Sequence, residues 1–115
     1  MKNISKIISG TMNWGVWGRD LSEKLMAELI EKSISLGINS FDHADIYGGY
    51  TTEKSFGNAL SLSKIDRESI FLISKCGIQY PSDKRPLKVK YYDYSKDHIR
   101  FSVENSLKNL KTDYL

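Results

Sequence analysis

One cysteine, Cys76, and two prolines are all that the 115 residues contain of either type. A lone thiol excludes a disulfide framework within the chain and suits a reducing compartment such as the cytoplasm. Long apolar runs are missing too. None nears the ~20 residues that a membrane-spanning helix needs. The opening MKNISKIISGTMNWG has no long apolar stretch before a small-residue cleavage site, which argues against a secretion signal. Nor is there an excess of one charge. Seventeen Lys and Arg against fourteen Asp and Glu leave +3, with the signs mixed along the chain. Nucleic-acid and membrane-surface binding therefore have no compositional support. KRPLKVKYYDYSK mixes Lys and Tyr, but Asp83, Asp93 and Asp97 dilute it, and it reads as a solvated loop near a pocket rim. What remains is an apolar share of 40%, ordinary for one small globular domain.

The pattern alternates strand and helix. Ile4, Ile7 and Ile8 form a β-prone run ending at Gly10. TMNWGVWGRD follows as loop chemistry carrying two Trp. Asp20 with Glu23 resembles a capping box and opens a helix from about Leu21 to Leu36, stopped by Gly37. On that helix Leu25 and Leu29, and Met26, Ile30 and Ile34, recur at helical spacing. INSFDHA is a short strand. TTEKSFGNALS is a short helix opened by Thr51 or Thr52, with Glu53 where the helix dipole favours an acid. SIFLISKC is a continuous apolar run, as in a strand covered on both faces. A polar loop runs from Gly77 to Tyr94. Ser95 caps a last helix with Ile99, Val103, Leu107 and Leu110 on one face, and Tyr114-Leu115 resembles the start of another strand. This order predicts an α/β fold with a parallel sheet.

Parallel α/β sheets carry their chemistry at the carboxyl ends of the strands. Asp42 to Tyr47 follows the second strand, Lys75 ends the third, and Thr11, Met12 and Trp14 follow the first, so all three groups converge on one end. A Lys ammonium close to a phenol favours the phenolate, and a carboxylate beside that Lys keeps it charged and in place. Asp, Tyr and Lys together suit general acid–base catalysis that delivers a proton to an oxygen, as in reduction of a carbonyl.

At these residues the chain resembles a known family. Asp42-His43-Ala44-Asp45-Ile46-Tyr47-Gly48, then Glu53 and Gly57, is similar to the D-x-A-x-x-Y-G…E…G signature of aldo/keto reductases. Lys75 in IFLISKCG resembles the family's strand-end lysine, and Gly10-Thr11-Met12 its first loop, beside the nicotinamide end of the cofactor. SVENSLKNLKTDYL resembles the helix and strand opening that follow. The resemblance implies the N-terminal part of a (β/α)8 TIM barrel, about three βα units plus the start of strand 4, as one partial domain over 1–115. It implies NADP(H)-dependent reduction of small aldehydes or ketones. Tyr47 would be the proton donor, Lys75 would promote its ionisation, and Asp42 would support Lys75 and the nicotinamide ribose. Gly10, Thr11 and Met12 would contact the cofactor. The family's catalytic His and main cofactor clamps lie beyond these residues, so the isolated chain is expected to be inactive.

Other readings stand beside this one. A non-catalytic half-barrel would leave unpaired strand edges and associate through them. Asp42, His43 and Asp45 could be metal ligands, and a metal-assisted hydrolase would use Asp42 and His43, but strand neighbours point to opposite faces, and no Cys or second His stands at ligand spacing. His43 reads as a packing or turn residue near the active end, His98 as solvated, and Cys76 as a small core thiol. Trp14 and Trp17 divide evenly between pocket wall and barrel core.

Overall fold

A computed structural model describes residues 3–115. Three parallel strands lie in the order β1 (Ser9–Gly10), β2 (Ser40–Asp42), β3 (Phe71–Ile73). The helix α1 (Glu23–Ser35) joins the first pair. A single turn, α2 (Tyr47–Tyr50), and the helix α3 (Thr52–Leu62) join the second. A final helix, α4 (Lys96–Leu110), packs on α3. The expected alternation is thus present, with shorter strands. Ile4, Ile7 and Ile8 stay exposed, because Ser5 and Asn39 exchange side-chain bonds where a ladder would run: Ser5 N–H donates to Asn39 Oδ1, and Asn39 N–H to Ser5 Oγ.

The register sorts the two faces of the sheet. Phe41 pairs with Leu72, and both join Met26, Ile30, Phe56 and Ile70 in the core between sheet and helices. Asp42, one step along, stands between Gly10 and Ile73 on the other face. SIFLISKC is therefore covered unequally: Ile70 and Leu72 are buried, Phe71 and Ile73 only partly. Phe41 and Phe56 are fully buried with ring centroids 5.3 Å apart, and Trp14 closes on both.

Helix details depart from the periodicity. Ser22, not Asp20, caps α1 through its side chain, accepting from Leu25 N–H. Asp20 instead ends a tight loop at φ 46°, its N–H donating to the Gly15 carbonyl. In that loop a Cβ on Gly18 would sit 2.3 Å from the Asn13 carbonyl oxygen, so only glycine fits. Of the two apolar rows on α1, Met26 and Ile30 are buried, whereas Leu25 and Leu29 are exposed. On α4, Ser95 caps as expected, but the buried row is His98, Ser102, Ser106 and Leu110; Ile99 and Val103 face out. Small residues win this face because the approach is close. A Cβ on Gly57 of α3 would lie 2.1 Å from the Asn109 carbonyl oxygen.

The stretch after β3 is more ordered than a plain polar loop. Ile78–Gln79 (β4) pairs antiparallel with Tyr91–Tyr92 (β5), closing a hairpin. At the other end, Tyr114-Leu115 carries no strand pairing among the described residues. The Tyr114 carbonyl accepts from Arg67, whose guanidinium lies 3.9 Å from the centre of its ring.

Candidate active site

The carboxyl ends of β1, β2 and β3 bring the expected residues together. Lys75 Nζ donates to both carboxylate oxygens of Asp42 at 2.8 Å, and also to the His43 carbonyl. It lies 5.4 Å from the centre of the Tyr47 ring. Ladder geometry explains the meeting. His43 N–H donates to the Ile73 carbonyl and Asp45 N–H to the Lys75 carbonyl, so pairing of β2 with β3 continues past both strands. Tyr47 opens α2, where Gly48 and Gly49 take positive φ and turn the chain sharply towards α3.

A cavity of about 370 Å³ stands beside these groups, lined by Tyr47, Lys75, Cys76, Ile78, Tyr92 and Tyr94 among others. The hairpin therefore forms one wall, which places the stretch read as a rim loop where expected. Its contribution of Ile78, Tyr92 and Tyr94 was missed. Two β-prone pieces flanking a Pro-, Ser- and Asp-rich turn were the available signal. Of the two tryptophans, Trp14 packs on the core, while Trp17 packs on Tyr47 and Tyr80 outside the lining of this cavity.

Thr11 is fully buried. Its N–H and hydroxyl both reach the Asp42 carbonyl, at 3.1 and 2.9 Å, and its Oγ1 lies 2.9 Å from His43 Nδ1. Its side chain and its N–H are thus both spent on β2, and its carbonyl accepts from Trp14 N–H, so Thr11 itself does not face outward from this loop. Gly10 and Met12 are exposed, and nothing lies within 4 Å of where a Gly10 Cβ would sit. A flat ring can approach the backbone there.

His43 packs its ring edge-on to Phe56 at 4.3 Å, directed away from the Asp42 carboxylate. Burial, with the Lys75 charge second, lowers its pKa to about 3. Asp42 and His43 diverge, as strand geometry requires, so they do not converge on one ion. Burial also raises Asp45 and Glu53 above the usual carboxylate range, the latter despite a 2.6 Å hydrogen bond from Ser74. Two readings need correction. His98 is not solvated; it is buried against Ser102 and Gln79, because this side of α4 meets β4 of the hairpin. Cys76 is exposed rather than a core thiol, and partial burial followed by the Asp45 charge raises its pKa.

Residues 6–115 match the Aldo/keto reductase family. The chain belongs to that family. The uncharacterized oxidoreductase YcsN of Bacillus subtilis is 51% identical over 112 residues, a match covering 96% of this chain and 37% of YcsN. A 6-dehydroglucose reductase of Agrobacterium fabrum is 37% identical, covering 97% of this chain and 38% of its own length. The holo form of an aldo-keto reductase from Bacillus halodurans superposes with a TM-score of 0.77 at 30% identity, covering 97% of this chain and 34% of that one. The chain thus spans a little over a third of the length of these curated relatives. Its parallel βα units are part of an aldo/keto reductase (β/α)8 barrel, which accounts for the site at the carboxyl ends of the strands.

Proposed function

We propose that residues 1–115 form the opening domain segment of an NADP(H)-dependent carbonyl reductase, with Asp42, Tyr47 and Lys75 as its catalytic residues. The observation that carries this reading is the Lys75 ammonium. Both Asp42 oxygens hold it at 2.8 Å, beside the Tyr47 ring and a cavity sized for a small aldehyde or ketone. In this account the Tyr47 hydroxyl gives its proton to the substrate's carbonyl oxygen, which becomes the alcohol oxygen. Lys75 offsets the negative charge left on the phenolate, and Asp42 keeps Lys75 oriented. Ile78, Tyr92 and Tyr94 wall the cavity. The cofactor, when bound, supplies the hydride.

The open backbone at Gly10 and the exposed Met12 fit the nicotinamide end, with Asp42 standing beside them and the buried Thr11 acting only through its hold on Asp42. The choice of NADP(H) and a cytoplasmic setting rest on family likeness. No helix among the described residues is long and apolar enough to cross a membrane. The name of the Agrobacterium relative makes sugar-derived carbonyl compounds the first substrates to try. Turnover is expected once the remaining barrel is supplied, and not from these 115 residues alone. A chimera in which this chain replaces the matching part of that relative tests the reading. NADPH oxidation with an aldehyde supports it; a folded chimera idle towards every carbonyl tried speaks against it.

A further inference from the structure

The Asp42–His43 peptide supplies all the acceptors that Lys75 Nζ uses: two carboxylate oxygens and the His43 carbonyl. On one side β3 holds that peptide through the Ile73 carbonyl; on the other, Thr11, the residue after β1, holds it. Thr11 N–H and Thr11 Oγ1 both reach the Asp42 carbonyl, and His43 Nδ1 reaches Thr11 Oγ1. A hydroxyl has one proton. If it goes to the Asp42 carbonyl, the Thr11 oxygen is left as an acceptor and His43 Nδ1 must donate. His43 Nε2 is then a bare lone pair, and it is the ring atom that has no partner among the described residues. The opposite tautomer would bury an unpaired N–H and cost the Asp42 carbonyl its hydroxyl donor.

We propose that His43 and Thr11 are positioning residues for Lys75, acting through a directed chain from His43 Nδ1–H to Thr11 Oγ1–H to the Asp42 carbonyl. This rests on the reading of Lys75 as part of the site. The ring of His43 faces away from the cavity, so its action runs through the backbone it anchors and not through contact with substrate.

Two measurements on the 115-residue chain test it. The first is the imidazole tautomer, from long-range proton–nitrogen correlations; His43 is expected protonated on Nδ1 alone. The second is acetylation of Lys75 by acetic anhydride, read by peptide mass spectrometry against exposed Lys54. Thr11→Val keeps the shape and removes the hydroxyl, and His43→Phe keeps the ring and removes the donor. Each is expected to raise Lys75 acetylation roughly fivefold, the population change that one ordinary hydrogen bond holds back. Thr11→Ser restores the hydroxyl without the methyl and is expected to stay within about twofold of the unaltered chain. An Nε2–H tautomer overturns the proposal, as does a Lys75 that responds equally to Ser and Val. If Thr11→Val does not fold, the tautomer of the unaltered chain decides alone. Failure of the chimera to turn over would count against the proposed function and leave both readouts untouched.

Discussion

Lys75 and Asp42 are both partly open to water, at 50% and 34% side-chain exposure, so their ion pair contributes little to folding whatever it does for chemistry. Lys75→Met is expected to change the unfolding free energy by less than ~1 kcal/mol. In a complete barrel it should slow turnover by ~100-fold. Urea melts and steady-state rates on the same variant separate the two effects. His43 gives the opposite case, where burial governs stability. Its pKa of about 3 in the folded chain lies below the ordinary 6.5, so above pH 6.5 both states are neutral and nothing is lost. As pH falls below that value the unfolded chain takes up a proton that the folded chain refuses, and stability drops by ~1.4 kcal/mol per unit. Asp45 and Glu53, raised by burial, act with the opposite sign, because the folded chain then keeps their protons longer. The difference between the unaltered chain and His43→Phe isolates the histidine. From neutral pH to about 5 it should move by ~2 kcal/mol against the unaltered chain. At this scale the convergence of Asp42, Tyr47 and Lys75 at one end of the sheet was legible, since residues that follow parallel strands share that end. The Thr11 hydroxyl was not, because only the register of β1 on β2 shows that it faces inward.

Apart from the β4–β5 hairpin, elements were legible in order and type but not in facing. Apolar spacing on α4 pointed to Ile99 and Val103, yet Ser102 and Ser106 are buried instead. Periodicity marks apolar rows and does not register how near two helices must come. Gly57 sets that distance for α3 and α4. Gly57→Val should push the helices apart and cost ~1–3 kcal/mol, measured by thermal or urea unfolding. Phe56 holds α3 on the sheet through Phe41, Trp14 and His43. Phe56→Ala should therefore cost ~3–5 kcal/mol, enough to unfold much of a small domain. The hairpin of β4 and β5 escaped notice because each strand is two residues long, too short for an alternating pattern to declare itself.

At the scale of the molecule, a three-stranded sheet leaves one side of β1 and one side of β3 without a strand partner among the described residues. Exposed edges of this kind invite pairing with another chain. The 115-residue chain alone is expected to associate as its concentration rises, which sedimentation velocity would detect; a monomer at every concentration would argue against open edges. The central claim is that Tyr47 delivers a proton to a carbonyl oxygen, with Lys75 and Asp42 behind it. The most direct measurement is NADPH oxidation by the chimera bearing this chain, with Tyr47 and with Tyr47→Phe, each first shown to be folded. A loss of ~100-fold or more with phenylalanine is the expected result. Turnover that survives the loss of the hydroxyl would contradict the account.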